Sequence, residues 1–154
     1  MKYNLHQPIY DAPDFKWYEF FRSETALRKG IYNIPKEDYI WYNIQKLASN
    51  VLQPCRDKFG RIRINSGYRC LELNREIGSS DYSNHIYGLA ADIEPLKKGV
   101  TLLQILEFIH YNLDYKELIA EFYPDGWNHV AYQEDNNKRE LKLMDENHSY
   151  DLVS

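Results

Sequence analysis

The stretch ELIAEFYPDGWNHVAY (117–132) reads as two β-strands joined by a tight turn. We interpret PDG at its centre as a three-residue loop with Gly126 in the left-handed conformation. In that register Glu121 lies directly opposite His129, and facing residues of antiparallel strands have Cβ atoms about 4.5 to 5.5 Å apart on one sheet face. The stretch therefore predicts a carboxylate beside an imidazole.

Short alternating segments predict further strands, and most of them follow the helices. Besides the two strands of the hairpin, at 117–123 and 127–133, they span residues 61–65, 89–94 and 139–143. This order, with tight turns between the last strands, predicts an α+β fold in which helices pack on a small antiparallel sheet.

Two helices are indicated by spacing and by capping residues. Between residues 35 and 54 the apolar side chains recur at helical spacing, and Asp38 is placed to cap the start. Thr101 and Gln104 form the signature of a capping box ahead of a second helix at 102–111. We expect the second helix to cover one face of the sheet.

Length and charge limit the classes of protein to which the chain can belong. It has 154 residues, 44% of them hydrophobic, which is enough for one ordinary domain without disulfides. We expect a single domain over 1–144 and a polar, frayed tail at 145–154. The net charge of −4 and the mixing of acidic and basic residues leave no basic stripe for a phosphate backbone. We therefore expect a monomer without a nucleic-acid partner.

The cysteines and the amino-terminal residues bear on the compartment. Cys55 and Cys70 are too few for a secreted disulfide framework, so we expect two free, mostly buried thiols. The first fifteen residues, MKYNLHQPIYDAPDF, contain no apolar run as long as a signal peptide or a membrane span requires. We expect a protein that is made in the cytoplasm without a signal peptide and does not bind membranes.

A second chemistry-bearing stretch is SNHIYGLAAD (83–92), in which a histidine in a loop precedes an aspartate in a strand. Gly88, Ala90 and Asp92 share one parity and so point to one face of the strand. The small neighbours leave space beside Asp92, and His85 is close enough along the chain to reach into that space. A cation with an imidazole ligand fits there.

The two stretches together supply two imidazoles and a carboxylate as metal ligands. These are His85, Asp92 and His129, with Glu121 as a further carboxylate that need not bind the metal. A catalytic zinc keeps three protein ligands and an open position for water, whose pKa it lowers to about 7. Glu121 is then placed to take the proton of that water as general base.

A specific motif runs through both stretches. The pattern SxHxxGxAxD is met in full by Ser83, His85, Gly88, Ala90 and Asp92, and the later pattern WxH by Trp127 and His129. On these residues the chain resembles the zinc D-alanyl-D-alanine carboxypeptidases and related peptidoglycan endopeptidases, which share a fold with the hedgehog signalling domain. Glu121 matches the acid ahead of the tryptophan in phage-type members. Residues 22–35 and 52–69 also resemble the family, so that the likeness spans residues 20–139.

The resemblance implies a zinc metallopeptidase, with one Zn²⁺, that hydrolyses stem peptides of bacterial peptidoglycan. It does not decide between carboxypeptidase and endopeptidase action. It is compatible with an endolysin-like, phage-encoded enzyme and with an enzyme associated with the virion. It also implies that Arg69, at the end of the SGYR segment, and Ser83 bind substrate. Ser79 and Ser80 depart from the glycine pair usual in close relatives.

Other interpretations remain open from the residues alone. Two histidines and one carboxylate also make the facial triad of non-haem iron oxygenases, although the usual close spacing of that triad is absent. A non-catalytic zinc-binding module of the same fold, with a role in the virion or its assembly, is a second alternative. Asp125 rivals Glu121 as the base, but a residue between proline and glycine is typical of a turn. The 14 tyrosines form no cluster in the sequence that would indicate a sugar-binding groove.

Overall fold

The computed structural model describes residues 3–145 and, as backbone, 149–151. The helices are α1 (Trp17–Phe21), α2 (Glu24–Lys29), α3 (Asp38–Leu47), α4 (Gln53–Phe59), α5 (Leu71–Ile77) and α6 (Leu102–Asn112), with a π-helical turn at Ala48–Leu52 and a 3₁₀ turn at Asn84–Tyr87. The strands are β1 (Pro8–Ile9), β2 (Ala12–Lys16), β3 (Ile62–Ser66), β4 (Ala90–Pro95), β5 (Glu117–Glu121), β6 (Trp127–Ala131), β7 (Glu140–Met144) and β8 (Ser149–Asp151).

The first predicted helix is present but extends further than expected. Asp38 is its first helical residue, and Glu37 holds the cap position without a side-chain cap, so the prediction that Asp38 caps the helix is wrong by one residue. Beyond Leu47 the chain continues through the π-helical turn into α4, where the Gln53 N–H donates to the Ala48 carbonyl. Proline has no N–H for an α-helical bond, and the wider turn accommodates Pro54 without ending the helix.

The second predicted helix, α6, is confirmed together with its capping box. The Thr101 hydroxyl accepts from the Gln104 N–H at 3.1 Å, and the Gln104 side chain accepts from the Thr101 N–H at 2.9 Å. Ile105 and Ile109 on its inner face are fully buried, and the helix packs against β5 and β6. One face of the strands that carry the site is thereby covered.

The main sheet has six strands in the order β3-β4-β6-β5-β7-β8. Its neighbouring strands run antiparallel except for β5 and β7, which are parallel because the chain crosses β5 on its way from β6 to β7. The predicted α+β fold, with helices packed on a small sheet, is confirmed, and the sheet is antiparallel except for that pair. A separate two-stranded sheet consists of β1 and β2.

The core lies between the helices and the inner face of the sheet. Its fully buried side chains are apolar and come from both layers, among them Phe15, Phe20, Ile44, Leu47, Leu52, Ile64, Ile93, Ile105 and Leu118. Cys55 is part of this core and Cys70 is half-buried, and both are free thiols, as predicted.

No helix in the described part of the chain is long and apolar enough to cross a bilayer.

Part of the predicted polar tail forms a strand, because the backbone of Ser149–Asp151 pairs with β7 as β8. The rest of that tail beyond Asp145 lies outside the described residues.

The predicted register of the β5–β6 hairpin is wrong by two residues. Glu121 faces Trp127, and the residue opposite His129 is Ile119. The connection is longer than three residues because Phe122, not Gly126, has the positive φ, of 51°. The next residue donates its N–H to the Met144 carbonyl of β7 instead of continuing the ladder to β6. Since side chains alternate with a period of two, the shift keeps Glu121 on the same sheet face as His129.

Candidate metal centre

Three predicted ligands converge at the middle of the sheet. His85 lies in the 3₁₀ turn before β4, while Asp92 in β4 and His129 in β6 are directly paired across the ladder. The Oδ1 atom of Asp92 is 3.0 Å from Nδ1 of His129 and 3.3 Å from Nε2 of His85. One ligand atom from each residue lies within 4.8 Å of the others, and all three residues are buried. Such a group could hold a metal ion, and the described residues contain no second one.

The outer nitrogens of both imidazoles have hydrogen-bond acceptors. Nδ1 of His85 lies 2.7 Å from the carbonyl oxygen of Gly67, and Nε2 of His129 lies 2.7 Å from Oε1 of Glu117. A carbonyl or carboxylate oxygen can only accept, so each of these nitrogens carries a proton. The acceptors therefore direct the other nitrogen of each ring toward Asp92, which is how protein metal sites orient histidine ligands.

The local fold explains the spacing of the serine, histidine and glycine in the first motif. The Ser83 hydroxyl accepts from the His85 N–H at 3.3 Å and so begins the 3₁₀ turn that holds the histidine. Gly88 ends that turn with a φ of +71°, and a Cβ atom there would lie 2.8 Å from the carbonyl oxygen of Ile40. Ser83 also lines the cavity at the site. Its contact with substrate stays a prediction.

Burial and charge act in opposite directions on the clustered groups. Burial lowers the pKa of His85, although the Asp92 charge opposes that effect. Burial disfavours the charged form of Asp92 and acts to raise its pKa. The charge of His85 and hydrogen bonds with both histidines outweigh that effect and hold the pKa of this carboxyl below its usual range. For His129 burial is outweighed by hydrogen bonds with Asp92 and Glu117, which raise its pKa to about 9. One carboxylate and two imidazole rings are a donor set that suits zinc, and the raised pKa of His129 means that a metal ion would have to displace a proton from this ring on binding.

Glu121 and Arg69 lie at the same cavity, of about 390 Å³, as the three clustered residues. Burial, followed by the Asp92 charge, raises the pKa of Glu121. Burial lowers the pKa of Arg69 against the opposing charges of Asp92 and Glu121. Nε of Arg69 is buried without a hydrogen-bond partner among the described residues. Because a guanidinium is always a donor, this orphaned N–H is suited to an oxygen atom that the protein itself does not provide.

A larger cleft of about 990 Å³ adjoins this cavity and shares Arg69, Asp92 and Trp127 with it. Its lining also includes Arg22 and Glu94, so that charges of both signs face the cleft. The volume is at the upper end of the range of ligand-binding clefts, about 300 to 1,000 Å³, and is large enough for a short peptide.

Glu117 is the site residue that the sequence interpretation missed. It pairs with Ala131 and lies diagonally across from His129, whose Nε2 it contacts. The signal was present in the sequence, because Glu117 and Glu121 are four positions apart in one strand and so share a face. The wrong register placed Glu121 opposite the histidine and left Glu117 unassigned.

The other described histidines and Asp125 lie away from the metal centre. His110 is buried, with Nδ1 2.7 Å from the Tyr115 hydroxyl, and the His6 ring lies tilted against that of Tyr18, with 5.4 Å between the ring centroids. Asp125 lies in the turn, where its N–H donates to the Phe122 carbonyl, and it does not line the cavity. His148 falls outside the described residues.

The comparison with protein families covers most of the chain. The model of the family described as Peptidase M15 matches residues 13–120, while no curated protein matches the chain significantly. The matched segment contains Arg69, His85 and Asp92, and the remaining site residues Glu121 and His129 follow it within nine positions. The chain therefore belongs to the Peptidase M15 family, the zinc peptidases that include the D-alanyl-D-alanine carboxypeptidases, as the sequence resemblance predicted.

Proposed function

We propose that this metallopeptidase holds one Zn²⁺ through His85, Asp92 and His129 and hydrolyses stem peptides of bacterial peptidoglycan. The observation that carries the proposal is the convergence of three buried ligand atoms within 4.8 Å at a cavity that adjoins a peptide-sized cleft. The residues fit the ion, because each imidazole has its outer nitrogen hydrogen-bonded to an acceptor and its inner nitrogen directed at Asp92.

A zinc ion bound there supplies Lewis-acid polarisation of a peptide carbonyl and a lowered pKa for a bound water. Glu121 accepts the proton from the attacking water and returns it to the departing amine. A raised pKa suits that double task, since the carboxyl group must both take up and release a proton near neutral pH. Arg69 donates from its unsatisfied guanidinium to a substrate oxygen, either a carboxylate or the carbonyl of the bond that is cut.

The family supports a peptide substrate, and the choice of cell-wall peptides rests on the motif resemblance. An arginine beside the site suits the free carboxylate of a terminal D-alanine, whereas the volume of the adjoining cleft also leaves room for a longer peptide. We propose residues 1–144 as a single, monomeric peptidase domain that acts without nucleic acid or membrane. An endolysin-like role, with release by a phage or association with its virion, is part of the same proposal.

Digestion of purified peptidoglycan, followed by mass analysis of the fragments, tests this function. Free D-alanine identifies a carboxypeptidase, and new amino termini within the stem identify an endopeptidase. Zinc-loaded wild-type protein is compared with the Glu121→Gln variant, which binds metal but lacks the base. Stoichiometric zinc without cleavage of any wall type would contradict the peptidase and favour a non-catalytic module. Iron with oxygen uptake driven by an oxoacid would instead favour an oxygenase.

A further inference from the structure

We propose that Glu117 is a positioning residue that holds His129 in the orientation and tautomer required of a metal ligand, and that Asn84 and Lys116 hold Glu117 in turn. The inference rests on the metal site of the proposed function but not on the reaction or the substrate. It assigns a role to a carboxylate that takes part in neither proton transfer nor ligation.

The contact between Glu117 and His129 defines this role. Oε1 of Glu117 is 2.7 Å from Nε2 of His129, and Oδ1 of Asp92 is 3.0 Å from Nδ1 of the same ring. A carboxylate can only accept, so Glu117 keeps a proton on Nε2. Nδ1 also lies against a carboxylate oxygen, but it is the nitrogen that faces Asp92 and His85, so a metal ion bound there would displace the proton of Nδ1 and leave that of Nε2 on its hydrogen bond to Glu117.

The same contact separates Glu117 from the other acid on its strand. Glu117 meets the outer nitrogen of His129 and is not one of the residues whose ligand atoms converge. Glu121 lies at the other end of β5, opposite Trp127, and shares the cavity with Arg69. The two glutamates therefore reach the site at different places.

Asn84 connects Glu117 to the segment that carries the other histidine. Its amide Nδ2 lies 3.4 Å from Oε1 of Glu117, and its Oδ1 accepts from Nζ of Lys116 at 2.9 Å. Asn84 is the residue immediately before His85 in the 3₁₀ turn. The chain of contacts from Lys116 through Asn84 to Glu117 thus links the turn that holds His85 to the strand that supports His129.

Burial makes the arrangement consequential for metal affinity. The His129 ring is nearly excluded from solvent, and only a water that entered from the site cavity, which Glu117 also lines, could replace the carboxylate as acceptor. Without an acceptor, the buried Nε2–H is left unsatisfied or the ring turns away from Asp92. Loss of such outer partners typically lowers metal affinity by about 10- to 100-fold.

The test is a competition titration of Zn²⁺ against a chromophoric chelator, together with the visible spectrum of the Co²⁺ form. We expect Glu117→Ala to weaken zinc binding by about 10- to 100-fold and to change the energies and intensities of the Co²⁺ bands. Glu117→Gln, whose amide oxygen can still accept from Nε2–H, should restore much of both. Asn84→Ala removes only the weak support of Glu117 and should cost about two- to tenfold in affinity.

The control is Glu140→Ala, which removes an exposed glutamate on β7 that faces Glu117 in the parallel ladder. It should leave zinc affinity and the Co²⁺ spectrum unchanged. If Glu117→Ala fails to fold in circular dichroism, the comparison of Asn84→Ala with wild type decides in its place.

Wild-type affinity and spectrum in Glu117→Ala, or in Asn84→Ala where Glu117→Ala does not fold, would overturn the inference whatever the activity. A wild type that binds zinc without cleaving peptidoglycan would overturn the proposed reaction and leave the role of Glu117 standing. A wild type that binds neither Zn²⁺ nor Co²⁺ would overturn both the metal site and this inference.

Discussion

Two glutamates on one strand are held in contrasting environments. A hydrogen bond with His129 lowers the pKa of Glu117, whereas burial and the Asp92 charge raise that of Glu121. Environments that shift two acids in opposite directions separate a charged, structural carboxylate from one that exchanges protons. The contrast supports the proposal that Glu121 transfers the proton and that Glu117 supports His129.

Glu121→Gln is expected to lower turnover about a hundredfold or more, because it removes the group that accepts the proton of the attacking water. Zinc content and thermal stability should stay at the wild-type level, since Glu121 is not among the clustered ligands. Turnover on wall peptides, metal analysis and calorimetry measure these effects. Asp125→Asn serves as control and should remain active, because Asp125 lies in the turn away from the cavity. An inactive Asp125→Asn beside an active Glu121→Gln would move the base into the turn.

Arg69→Ala is expected to lower kcat/KM by one or more powers of ten while zinc content stays unchanged. A hydrogen bond to a charged group contributes about 1.5 to 3 kcal/mol, and the orphaned Nε of Arg69 has no protein acceptor to lose in the described structure. Arg69→Lys should recover only part of the activity, because an ammonium cannot make the planar, two-pronged contact of a guanidinium. Unchanged kinetics in Arg69→Ala would make this arginine a bystander.

At the scale of elements, the junction of the 3₁₀ turn with β4 determines where His85 lies. Gly88 has a left-handed conformation there and packs directly against α3, with the Ile40 carbonyl 2.8 Å from the place of a Cβ atom. A backbone atom cannot move aside as a side chain can. The glycine of the motif is therefore required by both conformation and space.

Gly88→Ala is expected to destabilise the protein by about 2 to 5 kcal/mol, the sum of left-handed strain of about 1 to 2 and overpacking of about 1 to 3. Gly30→Ala is the matched control, since Gly30 has a φ of +67° but nothing within 4 Å of its Cβ position. The Gly30→Ala variant should lose only the stability that the left-handed strain costs, about 1 to 2 kcal/mol. Urea denaturation in the presence of chelator measures both losses, and equal losses would refute the close approach to α3.

At the scale of the whole molecule, the site depends on segments that are distant in the chain. Asp92 and His129 are 37 residues apart, with α6 between them, and become neighbours only when β4 and β6 pair. An ion held by both strands and by the turn of His85 binds the folded state and not the unfolded chain. Binding of a metal ion at the proposed site would therefore be coupled to folding.

Removal of zinc by a chelator is expected to lower the Tm of the wild type. A ligand at 100 times its dissociation constant stabilises a fold by about 2.7 kcal/mol, and that amount is lost with the ion. The double variant His85→Ala, His129→Ala should unfold at one temperature with and without chelator. If the wild type released its zinc with no change in Tm, the three residues would not be the ligands that join these segments.

The sequence by itself determined the features that local chemistry controls. The capping box of Thr101 and Gln104 and the period of apolar residues indicated the helices, since both depend on neighbours three or four positions apart. The order of the predicted helices and strands indicated the α+β class. The motif likewise identified His85, Asp92 and His129, which the structure brings together. Parity put Glu121 on the face of His129 even though the register was wrong.

Only the tertiary structure decided which residues of β5 lie opposite His129 and contact it. The hairpin register depends on the bond from the Tyr123 N–H to the Met144 carbonyl, and on the parallel pairing of β5 with β7. Both join segments about twenty residues apart, so no local rule of turn length includes them. A shift of two residues leaves the face of each side chain unchanged but changes which side chains meet. For that reason the contact of Glu117 with His129 became visible only in the folded chain.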